Sequence, residues 1–122
     1  MKLILVVDDS RIMRNIVKKT FTELKIPCQF LEAENGQKAY QLLVTNKISL
    51  VLLDWNMPQM DGMQFLKKVR AKPNYKDLPI VMVTSEAAKY NMLEALQNGA
   101  TGYIVKPFSE KVFMEKISSI NF

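Results

Sequence analysis

The sequence predicts an α/β fold in which one parallel sheet lies between two layers of helices. Short apolar runs alternate five times with longer amphipathic stretches, a pattern typical of repeated strand–helix units. The connections are short, so we expect right-handed crossovers between neighbouring parallel strands. The first, third and fourth apolar runs contain almost no polar residues, as expected for strands that are covered on both faces.

The five predicted strands are the apolar runs at residues 2–7, 28–33, 49–54, 79–84 and 102–106. Each lies between helical stretches in which apolar residues recur at three- and four-residue steps. In the first helical stretch, the apolar residues that alternate with Arg14, Lys18 and Lys19 are Ile12, Ile16, Phe21 and Leu24.

Capping residues predict where the helices begin and end. Ser10 is suited to cap the first helix, and Pro27 lies just beyond the end of that helix. Gly62 is expected to relax the backbone at the start of the third helix. Asn35-Gly36 marks the start of the second helix, and Asn98-Gly99 marks the end of the fourth. Ser109 is suited to cap the fifth helix.

Composition favours one domain with a single core. The chain has 122 residues, of which 48% are apolar. It shows neither a signal peptide nor a membrane-spanning run, so we expect a soluble cytoplasmic protein without membrane contact. One cysteine and no histidine exclude an internal disulfide and a zinc site. The chain ends just after its fifth predicted helix, so we expect residues 1–122 to form one domain without an output domain.

The net charge of +5 raises the question of nucleic-acid binding. The largest basic cluster lies at the end of the third predicted helix and in the following loop, at Lys67, Lys68, Arg70, Lys72 and Lys76. Cations at this position complement the helix dipole, and no aromatic residue for base stacking stands among the first four. We therefore favour a solvated face over a phosphate-binding patch, and we expect no nucleic-acid partner.

Polar side chains collect at the carboxyl ends of the predicted strands. Asp8 and Asp9 end the first strand, Asp54 the third, Thr84 the fourth and Lys106 the fifth. Because open parallel sheets bind ligands at this edge, we expect these five side chains to form one site.

The acids at this edge predict a metal site. Asp8, Asp9 and Asp54 offer hard oxygen ligands that suit Mg²⁺, with Mn²⁺ as a possible substitute. A divalent cation would also offset the repulsion between the adjacent Asp8 and Asp9 carboxylates. In the alternative interpretation the Asp8–Asp9 pair only caps the first helix, which leaves Asp54 unexplained.

The same residues predict phosphoryl transfer. An ionised Asp54 is a competent nucleophile towards phosphorus and needs no general base, which agrees with the absence of histidine. Lys106 would offset charge on the phosphoryl oxygens, and Thr84 would donate a hydrogen bond to one of them. The lack of histidine argues against Ser/His hydrolysis.

Four motifs, "VVDDS", "LLDWNMPQMDG", "VTSE" and "YIVKPF", resemble those of bacterial response-regulator receiver domains in both order and spacing. The resemblance covers essentially the whole chain and is greatest to the stand-alone chemotaxis regulators. It implies a flavodoxin-like, doubly wound (βα)5 three-layer sandwich. The strand order 2-1-3-4-5 is the known order of this family, so it is taken from the resemblance.

The resemblance also implies which residues bind the phosphoryl group and the metal. Asp54 matches the phosphorylated aspartate, and Asp8 and Asp9 match the acidic pair. Among these carboxylates, Asp9 and Asp54 would bind the metal more directly than Asp8. The backbone carbonyl of Asn56 matches the third protein ligand. The side chains of Asn56 and Glu86 match the two positions that tune dephosphorylation.

Further residues match the family's switch. Thr84 matches the switch hydroxyl, and Lys106 matches the active-site lysine, which precedes a cis peptide bond to Pro107. Tyr103 matches the aromatic residue that swings inward when the phosphoryl group draws Thr84 towards it. Without the resemblance, Tyr103 would be interpreted as a half-buried core residue.

The resemblance implies a monomeric signalling switch rather than an enzyme acting on other substrates. A chemotaxis-type histidine kinase would be the phosphoryl donor and a flagellar motor switch protein the target, with a phosphatase or a histidine phosphotransferase as further partners. The expected contact surface covers the fourth helix, fifth strand and fifth helix and includes Lys89, Tyr90, Leu93, Tyr103, Lys111 and Phe113.

Several alternatives stay open. The chain could be a phosphorelay intermediate or a phosphate sink that drains a shared kinase. A magnesium-dependent phosphohydrolase would need a second acid two residues after its nucleophile, where this chain has Asn56. A flavodoxin-like electron carrier would need a Ser/Thr/Gly-rich phosphate loop where this chain has "DDSRIMR".

Overall fold

The computed structural model describes residues 1–122 and contains one sheet of five parallel strands. The strands are β1 (Lys2–Val7), β2 (Cys28–Ala33), β3 (Leu50–Leu53), β4 (Ile80–Thr84) and β5 (Gly102–Val105). Their order across the sheet is β2-β1-β3-β4-β5, which confirms the order implied by the resemblance. In register, Val7 of β1 lies beside Ala33 of β2 and Leu53 of β3, so these strands end together.

Five helices connect and cover the strands, and these are α1 (Arg11–Glu23), α2 (Gly36–Thr45), α3 (Gly62–Arg70), α4 (Lys89–Gln97) and α5 (Glu110–Ser118). A short 3₁₀ turn, Pro73–Tyr75, precedes β4 and was not predicted. The predicted caps are confirmed, because the side chains of Ser10, Asn35 and Ser109 each accept a hydrogen bond from a backbone N–H in the first helical turn.

The sheet separates two apolar cores, because successive side chains of a strand point to opposite faces. One core, between the sheet and helices α2, α3 and α4, contains Leu5, Val51, Phe65 and Leu66. The other, between the sheet and helices α1 and α5, contains Phe21 and Phe113, whose ring centroids are 6.3 Å apart. The molecule is thus the doubly wound three-layer sandwich that the sequence predicted.

The buried side of α1 differs in part from the apolar pattern of its sequence. Ile12 is 72% exposed and Ile16 is 43% exposed, whereas Val17 and Phe21 are buried. Val17 and Phe21 are four residues apart and therefore lie one above the other on the face that packs on the sheet. The helix is confirmed, but of its periodic apolar residues Phe21 lies on that face, whereas Ile12 and Ile16 of the first turns lie outside it.

None of the helices is long and apolar enough to cross a membrane. The parallel strands all present their carboxyl ends at the same edge of the sheet, where β1, β3, β4 and β5 lead into loops. The polar residues singled out in the sequence lie at this edge.

Candidate functional site

Three carboxylates meet where β1 and β3 end. Asp8, Asp9 and Asp54 each offer one oxygen, and these oxygens lie within 4.8 Å of one another. Asp8 is 4% exposed and Asp54 is 6% exposed, whereas Asp9 is open to solvent. The structure therefore brings together the three predicted acids in a cluster that could bind a metal ion, with two members buried and one at the mouth.

Lys106 supplies the positive charge inside this cluster. Its Nζ lies 3.0 Å from Oδ2 of Asp8 and 3.5 Å from Oδ2 of Asp54. The peptide bond between Lys106 and Pro107 is cis, as the resemblance implied. One ammonium group among three carboxylates leaves the site with net negative charge. The atoms of these carboxylates that could bind a metal are all oxygens, which suits a hard divalent cation.

Burial raises the pKa of the Asp54 carboxyl, and the nearby charge of Asp8 raises it further. The ammonium of Lys106, the backbone N–H of Trp55 and the hydroxyl of Thr84 act in the opposite direction. The Trp55 N–H donates to Oδ1 of Asp54 at 2.8 Å. Oδ2 is therefore the Asp54 oxygen that faces Lys106, while Oδ1 is held by the main chain.

Asp8 is fixed by groups on both sides. Its Oδ1 accepts a hydrogen bond from the Ser10 N–H at 2.9 Å, and its Oδ2 accepts from Lys106. The guanidinium of Arg14 donates to the Asp8 backbone carbonyl at 2.7 Å and to Glu32 at 2.9 Å. The sequence pattern indicates only that Arg14 lies on the polar side of α1, because a contact with the strand end depends on how the helix packs.

Two of the oxygens predicted to bind the metal have no protein hydrogen-bond donor. Neither the carboxylate of Asp9 nor the backbone carbonyl of Asn56 accepts a hydrogen bond from another protein group. Asp8 differs, since both of its carboxylate oxygens accept hydrogen bonds. The Asp9 carboxylate and the Asn56 carbonyl, on the loops after β1 and β3, are therefore not engaged by other protein groups.

Thr84, Glu86 and Tyr103 are connected at the end of β4. The hydroxyl of Thr84, which is completely buried, accepts from the Glu86 N–H at 3.3 Å. The hydroxyl of Tyr103 donates to the Glu86 carbonyl at 2.6 Å. Burial, followed by the charges of Glu86 and Asp54, raises the pKa of Tyr103 to about 12. The Asn56 amide donates to Oε1 of Glu86 at 2.7 Å, so both predicted tuning side chains are in contact.

Gly62 is required at the site for a reason that the sequence analysis did not identify. A Cβ at this position would lie 2.1 Å from the Asp54 carbonyl oxygen and 2.9 Å from Cα of Trp55. The Gly62 N–H also donates to the Trp55 carbonyl at 2.8 Å. Its role is therefore close approach between α3 and the loop that carries Asp54, rather than relaxation of a helix start.

The predicted contact surface is only partly exposed. Lys89, Tyr90, Leu93 and Lys111 are exposed. Phe113 is completely buried and Tyr103 is 5% exposed, so neither belongs to that surface in this conformation. Phe113 packs instead into the core beneath α5.

The basic cluster after α3 is not uniformly solvated. Arg70 is half-buried, and its guanidinium donates to the carbonyls of Gly99 at 2.9 Å and Tyr75 at 2.6 Å. It therefore ties the end of α3 to two neighbouring loops. Lys67 and Lys76 line an open groove together with Arg70, and no residue of the acidic cluster lines it.

Comparison with known proteins identifies the class to which this fold and site belong. Residues 4–118 match the family model of the response regulator receiver domain. The chain therefore belongs to the response regulator receiver domain family.

Its relatives define the type within that family. The chain is 48% identical to a chemotaxis protein CheY homolog of Campylobacter jejuni, over 98% of this chain and 92% of the relative. It is 46% identical to the chemotaxis protein CheY1 of Helicobacter pylori, over 98% and 96% of the two chains. The crystallised chemotaxis protein CheY4 of Vibrio cholerae superposes with a TM-score of 0.88 at 31% identity, over 99% of both chains. The chain is a receiver-domain response regulator of the CheY chemotaxis type.

Proposed function

We propose that this protein is a signalling switch that is turned on by phosphorylation of Asp54. The phosphoryl donor is the phosphohistidine of a chemotaxis-type histidine kinase, and the output is contact with a flagellar motor switch protein. The observation that carries this proposal is the convergence of Asp54 with two further carboxylates and Lys106 at one edge of the sheet. The names of its relatives support the chemotaxis assignment.

The transfer is a substitution at phosphorus. Oδ2 of Asp54 attacks, a new O–P bond forms, and the N–P bond to the donor imidazole breaks with its electron pair going to the departing nitrogen. Oδ2 is suited to this role because it faces Lys106 at 3.5 Å, which places an ammonium beside the incoming phosphoryl oxygens. No proton has to leave Asp54, because the reacting form is the carboxylate.

The proposed metal site consists of Asp9, Asp54 and the backbone carbonyl of Asn56, with Asp8 adding negative charge beside them. Asp9 and the Asn56 carbonyl fit because neither has a protein donor, and Asp8 fits a supporting role because its oxygens already bond to Lys106 and Ser10. When bound, Mg²⁺ would neutralise charge on the carboxylates and on the phosphoryl group. Mn²⁺ meets the same coordination requirements.

Thr84 and Tyr103 provide the proposed switch. The Thr84 hydroxyl accepts from the Glu86 N–H, which leaves its own O–H free to donate to a phosphoryl oxygen on Asp54. Tyr103 already lies inward and holds the Glu86 carbonyl, so we propose that phosphorylation stabilises this inward state rather than creating it. One hydrogen bond to a charged group contributes about 1.5–3 kcal/mol, whereas a shift from 1:99 to 99:1 needs about 5.5 kcal/mol. Binding of the target would therefore complete the shift.

The proposed output surface is the exposed part of α4 and its neighbours. Tyr90 is 73% exposed and Leu93 is 45% exposed, with Lys89 beside them. An aromatic and an aliphatic side chain next to a cation fit a partner that presents apolar and acidic groups. Association with such a partner should slow as salt rises.

The test uses Trp55, which is the only tryptophan and follows Asp54 directly. We expect its fluorescence to change when Mg²⁺ is added and again, reversibly, when acetyl phosphate follows. Asp54→Asn should abolish the second change, and mass spectrometry should show one phosphoryl group on the wild type alone. A wild type that gains no phosphoryl group in the presence of Mg²⁺ would overturn the proposal.

A second measurement separates output from the relay and sink roles. Binding to a motor switch fragment should strengthen on phosphorylation if the chain is an output regulator. Rapid back-transfer to a kinase or phosphotransferase, without binding to the motor switch fragment, would instead support a relay or sink.

A further inference from the structure

Glu86 connects four different parts of the site. Its backbone N–H donates to Thr84, and its carbonyl accepts from Tyr103. Its two carboxylate oxygens accept from amides of two different segments, the loop after β3 and helix α4. Oε1 accepts from Asn56 at 2.7 Å, and Oε2 accepts from Asn91 at 3.3 Å.

The second of these amides belongs to the first turn of α4, where the helix is weakly held. The N-cap is Ala88, which has no side-chain hydrogen bond, and the first turn contains no acid. Lys89 in that turn has the wrong sign for the helix dipole. Ala95 is the only buried residue of the helix. The Glu86 carboxylate therefore supplies the negative charge that this helix start otherwise lacks.

The path from Asn56 through Glu86 to Asn91 is the only chain of side-chain hydrogen bonds between the loop after β3 and α4. A second asparagine of this helix region, Asn98, donates its side-chain amide to the Glu94 carbonyl within the same helix. Asn56 is also the residue whose free carbonyl oxygen belongs to the proposed metal site. One residue thus offers its carbonyl to the ion and its amide to Glu86.

We propose that Asn91 is a positioning residue that couples the metal site to the first turn of α4. The inference rests on the proposed function, since it requires an ion bound through Asn56. An ion on the Asn56 carbonyl restricts the loop that carries the Asn56 amide, which holds Glu86 and, through it, Asn91. Coupling of this kind is reciprocal, so ordering of α4 by Asn91 must also strengthen metal binding.

The test compares Asn91→Ala with Asn98→Ala, which removes the same side chain from the other end of the helix region. Trp55 fluorescence measures the Mg²⁺ dissociation constant, and hydrogen exchange measures protection of the Met92 and Leu93 amides with and without Mg²⁺. In wild type and Asn98→Ala, Mg²⁺ should slow exchange of these amides. In Asn91→Ala, the dissociation constant should rise about fivefold, at the low end of the range for coupled sites, and the slowing should disappear.

A conservative variant separates positioning from a loss of folding. Asn91→Gln keeps an amide donor and should restore both readouts, whereas Asn91→Asp places a like charge against Glu86 and should restore neither. Wild-type affinity and unchanged Mg²⁺-dependent protection in Asn91→Ala would overturn this inference alone. Failure of the wild type to bind Mg²⁺ would overturn it together with the proposed metal site.

Discussion

Replacing the proposed phosphorylation site with a neutral isostere should make the metal-free protein more stable. In Asp54→Asn the side chain keeps its shape and an oxygen that can accept the Trp55 N–H, which bonds the carboxylate at 2.8 Å. What changes is the charge of a side chain that is 6% exposed. The raised pKa of Asp54 shows that the folded state disfavours the ionised carboxylate.

The magnitude follows from the charges around Asp54. Repulsion from the buried Asp8 carboxylate, no more than 4.8 Å away, is at least about 3.5 kcal/mol at an effective dielectric constant of about 20, whereas water screens the exposed Asp9. Attraction to Lys106 at 3.5 Å is about 4.7 kcal/mol on the same scale. The repulsion from Asp8 and the attraction to Lys106 largely cancel. The loss of hydration on burial therefore decides whether ionised Asp54 is destabilising, and burial is also the main cause of its raised pKa. We expect a gain of about 1–2 kcal/mol, or about 3–10 °C in melting temperature.

The pH dependence follows from the direction of the shift. Because the folded-state pKa of Asp54 lies above its unfolded value, ionised Asp54 destabilises the protein at pH values above the folded-state pKa. This cost disappears as pH falls through that pKa towards the unfolded value. The stability difference between Asp54→Asn and wild type should therefore shrink on acidification.

Thermal unfolding in EDTA at pH 7, followed by the same measurement with excess Mg²⁺, checks this prediction. A ligand at one hundred times its dissociation constant adds about 2.7 kcal/mol to the wild type, so Mg²⁺ should reverse the order of the two proteins. An Asp54→Asn variant that melts at or below the wild-type temperature in EDTA would refute the reasoning, because Lys106 and the Trp55 N–H would then compensate fully for burial.

Three further changes test other contacts. Lys106→Met removes the only cation within 4 Å of the carboxylates of the two buried acids, Asp8 and Asp54. It should destabilise the metal-free protein by about 3 kcal/mol in urea unfolding, with partial recovery in Mg²⁺; equal stability would contradict the pairing. The hydrogen bond from Lys18 is the main cause of the lowered pKa of Glu32. Ionised Glu32 therefore stabilises the protein at pH values above its unfolded-state pKa, and this stabilisation is lost as pH falls through its folded-state pKa. Glu32→Gln should cost less than about 1 kcal/mol at pH 7, because the pair is partly exposed, and the cost should shrink as pH falls through the folded-state pKa of Glu32. Gly62→Ala should destabilise the protein by about 3 kcal/mol, because the added Cβ would lie 2.1 Å from a backbone oxygen. In the control Gly102→Ala, the added Cβ would lie 3.6 Å or more from side chains only, so the cost should be less than about 1 kcal/mol.

The convergence of the polar site residues could be predicted from the sequence because they follow apolar runs. Asp8, Asp54, Thr84 and Lys106 stand at strand ends, and parallel strands must end at one edge of their sheet. No distance information was needed to place them together. The family motifs then added the order of the strands, which local patterns do not contain.

Other features depended on how helices pack on the sheet. The apolar periodicity of α1 includes Ile12, Ile16 and Phe21, but only Phe21 of these is buried, together with Val17. The Arg14 contact with the Asp8 carbonyl and the Asn91 contact with Glu86 join separate elements. Neither contact leaves a periodic or spacing signal in the chain.

The sequence by itself determined the alternation of strands and helices, the caps that begin most helices and the identity of the residues at the strand ends. These properties are local, since they arise from side-chain polarity, backbone preferences and a repeat of two or 3.6 residues. The tertiary structure alone decided which oxygens are free, that Gly62 must lack a side chain and that Glu86 lies between two amides. Those properties arise from distances between elements far apart in sequence, which are set by close packing of the whole core.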